Sequence, residues 1–344
     1  MFKKLIVIDF EQFEKLADKY WQLELFDVKN MDKMYANFRR NVILPNRYFI
    51  DPLDEINIYK KLLKRLKYEL DDKYKKIHKG TPLFWLGLSA FFLKKYDESI
   101  FYLDAAMAED KKNHTKWTNV KNKYGPLWLF SGAAMFFRLD VKYIKKYTDY
   151  DVQELKDLLE IELKSFNKIK TADDVSIEDF NSKFVEEILT KSKNTSVITT
   201  LYSFIFEKND IVEMLELRGQ NGGTIEPMIL HLLKGAMILE TLMKEHHNNE
   251  GSTLGAILSS TSIQNRYNYT SQNCQAQSLE QIINYLNGND NDSVETAFHV
   301  TCRLRNTASH YLLWSDIFTS ENYIKLYKNI LNAIFYVIQK EYIS

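Results

Sequence analysis

The chain has 344 residues, of which 45% are hydrophobic and 27% charged, with 46 basic and 46 acidic side chains. This composition is ordinary for a globular protein, and the balanced charge removes the simplest argument for nucleic-acid binding, a strongly basic domain. Only 11 glycines and 5 prolines interrupt the sequence. We therefore predict an all-α fold rather than a turn-rich β fold.

Cysteine usage and hydropathy predict the cellular compartment of the protein. Cys274 and Cys302 are too few for a disulfide framework and lack the spacing of a zinc site, so we expect two free thiols in a reducing cytoplasm. The first apolar run is cut by Asp9 and is too short for a signal peptide. No run reaches the roughly 18 apolar residues of a membrane span. We predict a soluble cytoplasmic protein with no membrane partner, metal or cofactor.

The first 80 residues predict helices separated by one loop. Apolar residues repeat at helical spacing from Phe10 to Tyr20 and again from Ile56 to Leu70. Between them, residues 44–52 contain two prolines, which must interrupt a helix.

Residues 82–112 predict two closely packed helices. Gly87 lies where the helices must approach each other, Tyr96 opens the second helix, and Ala106 is a small residue for its packing face. This arrangement resembles one unit of the tetratricopeptide repeat (TPR) family, in which paired helices stack into an array. Lys111 departs from the family pattern, which favours proline there.

A second copy of the pattern occupies residues 126–137, where Gly132 follows Gly87 by 45 positions. Two copies are fewer than a free-standing solenoid needs, so we predict an irregular TPR-like helical array over residues 1–218. The resemblance implies a concave surface that binds a protein or ligand partner or another domain. The alternative is a scaffold that only packs on its neighbour. Further helices are predicted near residues 152–169, 177–191 and 197–206.

Residues 217–224 hold three glycines and predict a domain boundary. The second domain, residues 225–344, begins with a helix to about Glu245 that is apolar on nearly all sides, as expected at the centre of a bundle. The elements predicted after it are a short helix at 254–258, a polar loop at 259–278 and a helix at 279–287.

Two further helices complete the second domain. Asp292 and Glu295, three residues apart, form a capping box that starts the penultimate helix. The last helix, from Asn322 to about Tyr342, is apolar on most faces. It either closes the bundle or pairs two subunits.

The penultimate helix leads into Arg305 and Asn306, followed after three residues by His310. This Arg-Asn-x-x-x-His pattern follows a long central helix, a short L-G-A-I-L helix and a polar segment. That order of parts resembles the HEPN domain, a helical bundle of which many members are metal-independent ribonucleases. The resemblance implies that residues 225–344 form a HEPN-type bundle acting as an RNA endonuclease.

The residue types suit metal-independent RNA cleavage, in which the 2′-hydroxyl loses a proton and attacks the adjacent phosphate. The reaction needs a group that titrates near neutrality and a fixed positive charge at the phosphate. His310 meets the first need, because the unperturbed pKa of histidine is about 6.5. Arg305 meets the second with a permanent, forked guanidinium.

Three other residues are assigned supporting roles. By the family pattern, Asn306 orients the histidine or binds phosphate. Glu240 lies on an apolar stripe of the central helix, so its carboxylate needs a partner, for which Arg305 is the candidate. Tyr311 is a candidate for stacking on a base of the RNA.

Helical spacing constrains how the motif works. On a straight helix Arg305 and His310 lie roughly 140° apart and do not share a face. Either a break at residues 306–307, with Thr307 capping a new helix, turns the histidine round, or motifs from two subunits meet across a dimer. HEPN ribonucleases generally use the second arrangement, so the resemblance implies a homodimer formed through the C-terminal bundle.

The resemblance also implies a biological setting. HEPN nucleases with appended sensing domains commonly serve prokaryotic defence, as toxins or antiviral effectors, with the helical array as sensor or regulator. Residues 225–344 hold 8 basic and 11 acidic residues, a formal charge of −3, so we expect this domain alone to bind RNA weakly. The rival hypothesis is a non-enzymatic scaffold whose array binds a protein and whose bundle only dimerises.

Overall fold

Every regular element in the described part of this computed structural model is a helix, which confirms the predicted all-α fold. The chain divides into two compact units, residues 1–151 and 152–344. The described residues are 15, 18–19, 31–45, 51–113, 132–147, 151–169, 174–191, 195–218, 223–247, 252–270, 274–275, 277–288, 293–308 and 318–344.

The glycine-rich segment 217–224, predicted as the domain boundary, falls inside the second unit. The helices on either side of this segment pack against each other, so the contacts within the chain do not mark a domain boundary there. The assignment of separate roles to residues 1–218 and 225–344 stays a prediction.

The first unit contains six described α-helices, with a short π-helix at Arg39–Ile43 and a 3-10 helix at Asp71–Lys75. Asp51 starts the second α-helix through a capping box with Asp54, and Pro52 occupies the first turn, where it costs no hydrogen bond. The six helices are α1 Met31–Phe38, α2 Pro52–Leu70, α3 Gly80–Phe92, α4 Tyr96–Asn113, α5 Gly132–Phe137 and α6 Val141–Tyr147.

Helices α3 and α4 form the predicted pair of packed helices. A Cβ atom on Gly87 would lie 2.6 Å from Cγ of Leu103, so only glycine permits this approach. The carbonyl of Gly87 also accepts a hydrogen bond of 2.8 Å from Oγ of Ser99 on α4. Lys111, where the TPR pattern favours proline, lies within α4. Of the second copy, residues 126–131 lie outside the described residues, so the relation to TPR repeats stays a prediction.

The second unit contains ten described α-helices. Two π-helical segments, Phe180–Val185 and Gln339–Ile343, extend its helices without a break. The ten are α7 Gln153–Phe166, α8 Ile177–Asp179, α9 Glu186–Lys191, α10 Ser196–Arg218, α11 Glu226–His247, α12 Leu254–Leu258, α13 Thr261–Tyr267, α14 Leu279–Gly288, α15 Val294–Ala308 and α16 Ser320–Ile338.

Helix α11 is the centre of the second unit, as its apolar surface predicted. It packs against α10, α12, α15 and α16. Buried hydrogen bonds fix the position of α11 along its neighbours, because His231 contacts both α10 and α16. Its ring nitrogens lie 2.9 Å from the carbonyl oxygen of Phe204 on α10 and 2.9 Å from the hydroxyl of Tyr323 on α16. Burial lowers the pKa of His231 to about 3, so the ring is neutral and accepts one of these bonds while donating the other.

One detail of residues 225–344 differs from the sequence prediction, and one falls on a residue outside the described ranges. Within the predicted polar loop 259–278, residues Thr261–Tyr267 form helix α13, because Ile263 and Tyr267, four positions apart, are both buried. Asp292 lies outside the described residues. At the start of α15, Oγ of Ser293 accepts a hydrogen bond from the backbone of Thr296.

Gly235 generates a prediction about the bundle. A Cβ atom there would lie 2.5 Å from Phe204 of α10 and 2.6 Å from Ile330 of α16. We expect Gly235→Ala to lower the free energy of unfolding by about 1–2 kcal/mol, because overpacking outweighs the gain in helix propensity. Gly288→Ala is the control, since its Cβ would meet no atom within 4 Å. Chemical denaturation of both variants measures this, and equal stability of the two would contradict it.

Candidate functional site

An ion pair joins the central helix α11 to the motif helix α15. Nε of Arg305 donates a hydrogen bond of 2.9 Å to Oε2 of Glu240. The carboxylate is nearly buried, with 9% of the side chain exposed, whereas 30% of the Arg305 side chain is exposed. The pairing expected from the sequence is therefore present, with the arginine on the solvent side.

A second cation, which sequence analysis missed, shares the same carboxylate. Nζ of Lys244 lies 2.7 Å from Oε1 of Glu240. The sequence offered one signal for this contact: Lys244 follows Glu240 by four residues, and side chains at that separation are neighbours on a helix. Two cations thus flank one carboxylate, and the group of three carries a net positive charge.

The Arg305 guanidinium has one hydrogen-bond partner among the described residues, Glu240, and the bond uses Nε. A guanidinium held in this way can offer both terminal nitrogens to an oxyanion, as in fork-like contacts with phosphate.

Residues 306 and 307 fasten α15 to the segment before α14. Nδ2 of Asn306 donates to the carbonyl of Cys274. Oγ1 of Thr307 donates to the carbonyl of Gln277 at 2.6 Å and accepts from its N–H at 3.2 Å. The amide group of Asn306, predicted to orient the histidine or bind phosphate, therefore also holds the protein backbone.

Helix α15 continues through Ala308, so the first of the two alternatives, a break at residues 306–307, is wrong. Thr307 does not cap a new helix, because its hydroxyl is bonded to Gln277. His310 and Tyr311 lie outside the described residues, and their predicted roles stay predictions.

Gly255 lets the short helix α12 approach α15 at this site. A Cβ atom on Gly255 would lie 3.2 Å from Cβ of Cys274, 3.7 Å from Sγ of Cys302 and 4.0 Å from Nδ2 of Asn306. The glycine of the L-G-A-I-L segment thus faces both cysteines and the motif asparagine. Both cysteines are free thiols, as expected from the sequence.

The other arginine of α15 faces different partners. The Arg303 guanidinium lies 5.3 Å from the ring centre of Tyr285, and its Nη1 donates to the side-chain oxygen of Gln277. The ring of His299, one turn earlier, packs at a tilt against the same tyrosine, with the ring centres 4.3 Å apart. Burial, followed by the charge of Arg303, lowers the pKa of His299 to about 4, so this histidine is neutral.

A second polar cluster lies at the C-terminal end of α11, just beyond Lys244. The carboxylate of Glu341 is bound by Arg266 through two hydrogen bonds of 2.6 Å and accepts a third from the Tyr267 hydroxyl. His246 and His247 lie 3.5 and 3.8 Å from the same carboxylate. Burial opposes ionisation of Glu341, but these hydrogen bonds hold its pKa below the usual value.

The described residues contain no group of three or more His, Cys, Asp or Glu side chains that could hold a metal ion. Within that part of the chain, no helix has the length and apolar character to cross a bilayer. Comparisons of the chain with protein-family models, with curated proteins and with solved structures found no match.

The shared carboxylate generates a stability prediction. Glu240→Gln leaves Arg305 and Lys244 close together without their counter-charge, so we expect the free energy of unfolding to fall by about 1–3 kcal/mol. Glu321→Gln is the matched control, because Glu321 also pairs with a lysine four residues on, Lys325, but has 77% of its side chain exposed. We expect no measurable change there. Urea titrations of both variants test this, and equal losses would contradict it.

Proposed function

We propose that the protein is a metal-independent RNA endonuclease of the HEPN type. The observation that carries the proposal is the partly exposed Arg305 guanidinium, which Glu240 binds through Nε. Such a fixed cation suits the negative charge that develops on a phosphate during cleavage. The resemblance of residues 225–344 to HEPN bundles supplies the class of reaction.

In the proposed reaction His310 acts as general base and removes the proton of the RNA 2′-hydroxyl. The 2′-oxygen attacks the adjacent phosphorus, and the bond from phosphorus to the 5′-oxygen breaks. The charge on the non-bridging phosphate oxygens is stabilised by Arg305, while Asn306 supports the histidine or the phosphate. A histidinium returns the proton to the leaving 5′-oxygen, which leaves a 2′,3′-cyclic phosphate.

The site is proposed to be composite, with motifs from two subunits. Because α15 is helical through Ala308, a histidine that continues the same helix would lie roughly 140° from Arg305. One subunit would then direct the two groups to different sides, whereas two facing copies bring an arginine and a histidine together.

An exposed apolar stripe on α11 supports this dimer. Leu230 and Met237 are seven residues apart, so they lie on one side of the helix, and their exposed fractions are 55% and 57%. Lys244 follows after another seven residues, next to Glu240. The stripe therefore ends at the candidate site, and a second copy seated on it would place its own motif nearby.

The formal charge of −3 on residues 225–344 leaves this domain without a general attraction for RNA. We therefore propose that the N-terminal helices or a partner contribute to binding the RNA substrate. The proposed setting, prokaryotic defence or a toxin system, comes from the family resemblance.

The decisive test incubates the full chain with single-stranded RNA in EDTA. We expect cleavage to 2′,3′-cyclic phosphate ends, and a rate lower by about 100-fold or more in His310→Ala and in Arg305→Ala, because each removes a proton-transfer group or a phosphate charge. Arg303→Ala is the matched control, since it removes an arginine of the same helix that faces Tyr285.

Equal cleavage by wild type and all three variants would assign the activity to a contaminant and end the proposal. A folded wild type that leaves RNA intact, also in the presence of lysate from phage-infected bacteria, would favour the non-enzymatic scaffold.

The dimer has a separate test. We expect Met237→Glu to raise the dissociation constant of the homodimer at least about tenfold, because an unpaired carboxylate is buried on association. Phe101→Glu is the control, since Phe101 is an exposed apolar residue of the first unit, with an exposed fraction of 65%. Sedimentation equilibrium measures both variants. A wild type that stays monomeric, or equal effects of the two substitutions, would contradict dimerisation through α11.

A further inference from the structure

The chain's two cysteines meet beside the candidate site. Cys302 belongs to α15, while Cys274 lies in the segment before α14, 28 positions earlier in the chain. Cβ of Cys274 and Sγ of Cys302 are 3.2 and 3.7 Å from the same point, the position that a Cβ of Gly255 would take. The two cysteine side chains are therefore neighbours. Neighbouring cysteines whose thiols are both free are what reversible disulfide formation requires.

We propose that Cys274 and Cys302 form a redox-active pair that peroxides convert into a reversible intramolecular disulfide. The pair does not depend on RNA cleavage, and its test uses no RNA. It adds a site of covalent modification to the helix that carries the candidate catalytic motif.

The two thiols differ in exposure and in pKa, which gives them different roles in the oxidation. Cys274 is partly exposed, whereas Cys302 is completely buried. Interaction with the Cys302 thiol, and the charge of Arg303, lower the pKa of the Cys274 thiol against the opposing effect of burial. Interaction with Cys274, together with burial, raises the pKa of the Cys302 thiol. Cys274 is therefore the residue that reacts first, since a thiolate reached by solvent is the nucleophile.

The chemistry is balanced with hydrogen peroxide as oxidant. The Cys274 thiolate attacks one peroxide oxygen, the O–O bond breaks, and the products are a sulfenic acid and water once the leaving hydroxide takes a proton. The sulfur of Cys302 then attacks the Cys274 sulfur and expels the hydroxyl group, which leaves as water with the Cys302 proton. Two thiols and one peroxide give one disulfide and two waters. A dithiol reductant reverses the bridge by thiol exchange.

The disulfide would add a covalent link to a contact that hydrogen bonds already make between α15 and the segment before α14. The carbonyl of Cys274 already accepts from Asn306, and Gln277 is bonded to Thr307. Cys302 precedes Asn306 by one helical turn, so both residues face the same side of α15. Oxidation thus ties this segment covalently to the turn that carries Arg305 and Asn306.

The test treats the full chain with hydrogen peroxide, blocks remaining thiols with N-ethylmaleimide after denaturation, and maps peptides without reduction. We expect a Cys274–Cys302 peptide pair within single chains, lost after dithiothreitol, together with a higher melting temperature of the oxidised protein. Before oxidation, the folded protein should be alkylated at Cys274 at least about tenfold faster than at Cys302.

Single-cysteine variants serve as controls, because the chain has no third cysteine. In Cys302→Ala, Cys274 should proceed to sulfinic and sulfonic acids; in Cys274→Ser, the buried Cys302 should stay reduced. If Cys302→Ala fails to fold, the relative alkylation rates in wild type still decide the matter. The proposal is overturned if wild-type thiols stay free in peroxide, if bridges form only between chains, or if Cys274 is over-oxidised as readily in wild type as in Cys302→Ala.

Discussion

The second unit depends on one buried carboxylate. Glu240 lies on the central helix among apolar residues, where an unpaired charge would be costly, and it is bound by Arg305 from α15 and by Lys244 from its own helix. The arrangement fixes the register of α15 against α11 and holds the arginine side chain in one direction. Because the carboxylate is buried and the arginine is not, the constraint that stabilises the fold also presents a preorganised cation to solvent.

Close packing and polar contacts around α11 make that constraint possible. Gly235 lets α10 and α16 approach the central helix, and His231 bonds to both of them, so α11 cannot rotate or slide without losing buried hydrogen bonds. Gly255 allows α12 to pack closely against α15, next to Asn306 and the two cysteines. The candidate site is thus built on rigid helices, which is how a charged group is held in position without reorganisation.

Local patterns predicted much of this architecture, and long-range contacts explain what they missed. The apolar surface of α11 follows from helical periodicity, whereas the close approach at Gly87 was predicted from the resemblance to a TPR unit. The pairing of Glu240 with Arg305 was predictable because a carboxylate on an apolar stripe needs a counter-charge. The meeting of Cys274 with Cys302 and the bonds of Gln277 to Thr307 join distant segments, which no periodicity in one sequence reveals. Helix α13 was missed because its polar composition hid two buried residues, Ile263 and Tyr267.

The continuity of α15 bears on the proposed homodimer. A break after Arg305 would have allowed one chain to assemble arginine and histidine in a single site, but Thr307 is bonded to Gln277 and the helix runs on through Ala308. For the proposed nuclease this leaves the composite arrangement, in which a second copy of the motif completes the site. Leu230 and Met237, exposed on α11, would receive that copy, so the continuity of one helix and the surface of its neighbour support the same proposal.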